Sequence, residues 1–325
     1  MAVAARVKPR AYFSQTDWER LSARSRWKGI ALVVHCWAVI VAAGALFVVW
    51  PNPLTLVLAI TLIGARQLGL AILMHDAAHG CLHPNLKVND FLGHWLCGAP
   101  TNASLLRYRP YHLQHHKYAQ QAEDPDLALS APFPTTRASL RRKIVRDLTG
   151  QTFYKQRIKP TVGAFIDGAR KAIPFAKTGK AVAAFWSPFL ITNAVLLAAL
   201  AAVGLWWAYF VLWLVPMATW YPLITRLRNI AEHALVAKDE TDPLRHARTT
   251  RASLVERMFI APYWVNYHCE HHMFMHLPCW SLPRAHRLLA ERSVTADMLV
   301  EKDGYLEVLR RASSRKAAAA EAAAA

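Results

Sequence analysis

Nine of the chain's 15 histidines fall into four short clusters: His75-Asp-Ala-Ala-His79, His112-Leu-Gln-His115-His116, Asn229-Ile-Ala-Glu-His233 and His268-Cys-Glu-His271-His272. Imidazole is the commonest protein metal ligand and is neutral enough near pH 7 to bind. Separations of three and four residues put ring nitrogens on one helical face, about one turn apart. A tetrahedral ion takes four donors and an octahedral one six. Nine imidazoles, with Asn229 as a further amide or water-mediated contact, therefore imply two metals if the clusters converge. The donor type suits iron, zinc, copper or nickel and disfavours magnesium and calcium.

Metal-bound histidine usually donates its second ring N–H to a carboxylate or carbonyl. Asp76, Glu232 and Glu270 sit among the histidines and are expected to serve as such orienters. Their helical phase differs from that of the histidines, so direct ligation is not expected of them. Asp124 and Asp126, in Glu-Asp-Pro-Asp, are weaker candidates for the same role. Among the other six histidines, His35 is expected to be a packed polar residue and His94 an outer partner of the site. His83, His246, His276 and His286 are assigned to the surface or to local hydrogen bonds.

Something must bring these clusters together, and the apolar blocks are the candidates. Hydrophobic residues make up 54% of the chain. Two blocks, each split by a turn signal (Trp50-Pro-Asn-Pro53 and the neighbourhood of Gly204), divide into spans near 29–50, 53–74, 185–204 and 205–225. Each is close to the roughly 20 residues a helix needs to cross the hydrocarbon. The expected fold is thus all-α and integral to a membrane, with four transmembrane helices in two hairpins. A helical cap on one face would hold the metal site. Residues 1–28 read as a basic arm, interfacial or loosely ordered, 29–311 as the membrane domain, and 312–325 as a low-complexity Ala-rich tail. No alternation of strand type runs for any length.

The formal net charge of +18 would suggest nucleic acid in a soluble protein. Here Lys and Arg avoid the four spans, Arg66 excepted, and gather in the regions that two hairpins place on one side. Such flanks face the cytosol, so both termini and the clusters are expected there, and the charge serves orientation and contact with anionic headgroups. Nucleic-acid binding is not expected. Arg66 is costly in lipid and should face protein, a cavity or the headgroups, bordering a substrate channel or the site's outer network. Gly64 and Gly69 would permit close helix packing or a groove. The first 28 residues lack the apolar core of a secretory signal. The five cysteines have no framework spacing.

At these residues the chain resembles the membrane fatty-acid desaturase superfamily, the integral-membrane di-iron desaturases and hydroxylases. The likeness covers roughly residues 30–290 and rests on three histidine boxes, on Asn-x-x-x-His after the fourth span, and on four spans. It implies two iron ions held by His75, His79, His112, His115, His116, His233, His268, His271 and His272, with Asn229 completing a coordination sphere. It also implies O2 as co-substrate, electrons from a separate carrier of ferredoxin or cytochrome b5 type, and attack on an unactivated C–H bond of a membrane lipid. Loss of a second hydrogen gives an alkene; gain of oxygen gives an alcohol or ketone.

Desaturation of a fatty acyl or sphingolipid-type chain is the leading expectation. Hydroxylation or ketolation of a lipid, carotenoid or alkane is the alternative. A zinc-dependent membrane hydrolase would need fewer donors, and a metal transporter would carry histidines along its spans, where only His35 lies.

Overall fold

The computed structural model describes residues 7–315 of the chain, and these are mostly helical. A short helix, α1 (Gln15–Ser22), precedes α2 (Lys28–Val49) and α3 (Pro53–Ala78). The start of α3 is well determined by its sequence. Asn52 accepts the backbone N–H groups of Leu54 and Thr55, Thr55 reciprocates to the Asn52 backbone, and Pro53 occupies the first turn, where its missing N–H costs nothing. Further along come α4 (Leu105–Tyr118), α5 (Arg137–Leu148), α6 (Lys159–Arg170), α7 (Phe175–Ala202) and α8 (Trp206–His233). The chain ends in α9 (His268–Met273), α10 (Leu282–Glu291) and α11 (Gly304–Ala312). Two dipeptide strands, β1 (Thr249–Thr250) and β2 (Val300–Glu301), pair in parallel and fasten the segment before α9 to the segment before α11.

Four helices, α2, α3, α7 and α8, are long and apolar enough to cross a membrane. Their limits differ from those expected in three places. α3 continues to Ala78, so His75 lies in its last turn rather than beyond it. α8 likewise continues to His233, through a π-helical stretch at Tyr209–Leu214 and a one-residue interruption at Thr219. α7 begins ten residues early, because Phe175–Ala184 is rich in helix-forming Ala and Lys although not uniformly apolar. Hydropathy marks where a helix is greasy, not where it starts.

α3 is the central element. It packs against α2, α4, α8 and the Leu92–Gly98 segment, and nearly every residue from Ile63 to Ala78 is buried. A helix buried all round belongs in a core. Gly64 and Gly69 serve that packing. A Cβ would lie 2.9 Å from the Trp220 side chain at the first and 2.7 Å from the Tyr263 ring at the second. Arg66 faces protein: it donates to the Met258 carbonyl at 2.7 Å and lies over the Tyr263 ring. It pins α3 to the segment before the third histidine box. Gln67 donates to the Trp213 carbonyl at 2.8 Å, tying α3 to α8. Asn193 of α7 accepts from Tyr209 and from Trp213 of α8. Asn193 is also the one buried residue of α7; the rest of that helix is only partly covered or exposed.

The arm before α2 is not loose over its described part. Phe13 and Trp18 pack their rings on Phe274, just past the third box, and Leu21 is fully buried. The tail expected from 312 is packed at its start: Ala312 is buried and Ser314 forms a bridge with Thr136. Residues 1–6 of the arm and 316–325 of the tail lie outside the described residues.

Candidate metal centre

The four clusters converge. α3 supplies His75 from its last turn and His79 from its C-cap. α4 supplies His112, His115 and His116, α8 ends on His233, and α9 carries His268, His271 and His272. The donors sort into two groups, within each of which the ligand atoms lie within 4.8 Å of one another: His75, His79, His112, His116 and His271 in the first, and His115, His233, His268 and His272 in the second. Helix geometry explains the sorting. Residues four apart sit about 40° round the helix and residues three apart about 60° the other way, so the two directions diverge by about 100°. His112 and His116 therefore share one focus while His115 turns to the other. His268 and His272 share the second while His271 crosses to the first.

The donor set fits a cation at each focus. In the first group, His116 Nε2 lies 2.9 Å from His112 Nε2 and 3.0 Å from His271 Nε2. In the second, His268 Nε2 lies 2.8 Å from His233 Nε2 and 3.1 Å from His272 Nε2, which is itself 3.3 Å from His115 Nε2. One imidazole nitrogen offers a single lone pair or a single hydrogen, so it cannot hydrogen-bond two others at once. Neighbouring donors about 3 Å apart are, however, what a metal–nitrogen distance of about 2.1 Å gives around an octahedral ion. Both ring nitrogens of His75 and of His79 are buried without hydrogen-bond partners, a cost that coordination removes.

Burial pushes His79, His112, His116, His268, His271 and His272 well below the usual histidine range, and their neighbours add to it. The rings are thus held neutral, with lone pairs ready for metal. The sign for stability follows. Below about pH 6.5 the unfolded chain binds protons that the folded, metal-free chain refuses, so folding weakens as pH falls. Chelated protein should melt progressively lower between about pH 7 and pH 5, and metal-loaded protein should resist the change over that window. A flat melting temperature for the chelated form would contradict this.

The carboxylates depart from expectation. Asp76 accepts the Cys279 N–H at 2.9 Å and stands 3.7 Å from His75 Nδ1, beyond hydrogen-bond reach. Glu270 binds Thr249 and His286, fixing α9 to β1 and α10 instead of orienting a clustered ring. Glu232 lies 3.3 Å from Arg228 and 3.5 Å from His268 Nε2, with neither oxygen hydrogen-bonded. A residue adjacent on a helix points about 100° away from its neighbour, so it rarely reaches that neighbour's ring. Asp124 does meet a clustered histidine, with Oδ1 2.8 Å from His115 Nδ1. Asp126 stands farther off, 3.9 Å from the same nitrogen.

Asn229 lies on α8, and its Oδ1 accepts from Arg228 at 2.6 Å. It lines a small cavity of about 30 Å³ whose wall also includes His75 and His112 from the first group and His115, His233 and His268 from the second. That cavity is where a small molecule would meet both groups. His35 hydrogen-bonds the Tyr263 hydroxyl at 3.1 Å, as a packed polar residue should.

Three further residues neighbour the rings. His246, assigned to the surface or to local hydrogen bonds, is buried with its ring centroid 5.2 Å from that of His272. Tyr108 stacks on His112 at 5.0 Å. Gln120 donates to the His233 carbonyl at 3.2 Å. Only Tyr108 carries a sequence signal, its i,i+4 relation to His112. His246 and Gln120 arrive from loops.

Comparison with known proteins agrees with this geometry. The family model described as "Fatty acid desaturase" matches residues 51–300. Dihydrorhizobitoxine desaturase of Bradyrhizobium elkanii is 28% identical over 253 residues, 71% of this chain and 66% of that protein, just under two thirds of its length. Beta-carotene ketolase of Paracoccus sp. (strain PC1) is 24% identical over 266 residues, 79% of this chain and 90% of that protein.

Proposed function

We propose, from the premise that this chain belongs to the fatty acid desaturase family and is an oxidoreductase of that type, that it holds two irons and desaturates the apolar chain of a membrane-resident substrate with O2. The observation that carries the reading is the division of nine imidazoles into a five and a four around one shared cavity. Two irons there would supply O2 activation for attack on an unactivated C–H bond. The chain's own residues do the rest. His75, His79, His112, His116 and His271 hold one ion. His115, His233, His268 and His272 hold the other, with Asn229 beside the space left over. Asp124 keeps the His115 proton on Nδ1 and so points the Nε2 lone pair inward. Burial keeps bulk water away from the reacting centre.

A site at the membrane boundary is supported by the positions of His75 and His233 near the ends of α3 and α8, two of the four apolar helices. Lipid is the natural cover for the exposed apolar side chains of α7. The excess of Lys and Arg on the connecting segments supports a cytosolic face, reached if each pair of spans forms a hairpin. The same basic face suits docking of an acidic electron carrier of ferredoxin or cytochrome b5 type.

A second reading, ketolation or hydroxylation by the same residues, is favoured by the likeness to the beta-carotene ketolase, which extends over most of that protein. Expression in a host of defined lipid profile, with and without O2, decides between them. Desaturation gives an O2-dependent product lighter by two hydrogens, whereas the second reading gives one that gains oxygen. A product formed equally without O2 contradicts both.

A further inference from the structure

A second cavity, of about 370 Å³, opens beside His75 and shares His75, Tyr108 and Arg228 with the smaller one. One wall is apolar, formed by Leu68, Ile72 and Met74 of α3 and Phe185 of α7. The other wall carries Asn102, Arg107 and Arg157, with Arg228 deeper in, and no carboxylate lines this cavity.

Arg228 is matched by Glu232 and Asn229, but no carboxylate answers Arg107 or Arg157. Asn102 is more than nine-tenths buried, yet its Nδ2 has no hydrogen-bond partner. Its backbone is left-handed, with φ 59°, a conformation the loop imposes and that asparagine tolerates better than most residues. Arg157 donates one amino group to the Asn102 carbonyl at 2.8 Å and makes no ion pair among the described residues. Arg107 lies over the Phe185 ring at 5.0 Å and makes none either. A buried amide donor without an acceptor, beside an exposed Arg107 and a half-buried Arg157 that have no carboxylate partner, forms a cradle suited to an anion.

We propose that this wall binds the anionic head, carboxylate or phosphate, of an amphiphilic substrate whose apolar chain lies along Ile72 and Met74 toward His75. The proposal rests on the oxidoreductase reading of the site and adds its selectivity. Acid-bearing chains are taken in preference to uncharged ones, and the head fixes how far along the chain the histidine groups are reached.

The test uses iron-loaded protein in phosphatidylcholine nanodiscs with spin-labelled stearate as probe. Palmitate or phosphatidic acid should displace the probe at least about tenfold better than methyl palmitate or hexadecanol, and the better of the two anions identifies the source of the head. Arg107→Gln and Arg157→Gln should each weaken binding of the acid roughly tenfold or more while leaving methyl palmitate unaffected. Iron content and methyl palmitate binding report whether a variant has folded. If one has not, the competition on the unaltered protein decides alone. Equal competition by palmitate and its methyl ester overturns the proposal, as does undiminished acid binding in a folded double variant. Binding is read without turnover. Anion preference without any O2-dependent product would therefore sink the oxidoreductase reading and spare the site, and turnover without preference would do the reverse.

Discussion

Replacing His271 by alanine should abolish product formation, a loss well beyond a hundredfold, while the protein still inserts and accumulates in the membrane. His271 is the α9 histidine that belongs to the first group, its Nε2 3.0 Å from that of His116 and its ring 4.3 Å from that of His75. Outer partners of metal ligands alone are worth roughly 10–100-fold, so loss of a ligand should exceed that. The fold should survive, because the largest share of the core lies on α2, α3 and α8 and the substitution removes no apolar side chain from it. The matched control is His83→Ala, which touches only a local Asn85 contact and should keep normal activity. Membrane fractions from the two variants, assayed for the O2-dependent product, separate the cases. Appreciable turnover in the His271 variant would mean that the first group is not the working centre.

The second large effect is expected at Asp124. This carboxylate accepts from the backbone N–H of Gln120 with one oxygen, and from the backbone N–H of Asp126 with the other, which also faces His115 Nδ1. In the Asp124→Asn variant the side chain keeps nearly the same shape, but its NH2 has to face a backbone donor or the protonated ring nitrogen. Either clash lets the His115 ring turn and withdraws its Nε2 from His272. The substitution should therefore lower iron affinity by roughly 10–100-fold. Chelator titration of the purified variant measures this directly. Iron held as tightly as in the unaltered protein would show that Asp124 does not orient a ligand.

Much of the site was legible in the sequence because ligand chemistry and helical spacing restrict it so strongly. All nine clustered histidines meet, and the four apolar helices are present. The division between foci was within reach of the same reasoning, since the 100° step per residue already separates His115 from His112 and His116. The orienting partners were not. Asp76 and Glu270 qualified only as neighbours of histidines in the chain, and adjacency on a helix places side chains on different faces. Each is bound elsewhere, Asp76 to the Cys279 backbone and Glu270 to Thr249 and His286. His246 and Gln120 reach the site through loops whose paths depend on tertiary packing. Helix limits erred for a related reason. Apolarity reports contact with lipid or core, whereas α3 and α8 continue as helices to His75 and His233 because the site needs those ends rigid.

If the two histidine groups each hold an iron, metal quantification on protein purified from an iron-replete host should find close to two irons per chain. That content should fall together with O2-dependent turnover on chelation and return with ferrous iron. One metal per chain, or zinc in place of iron with turnover that ignores O2, would rule out a di-iron centre.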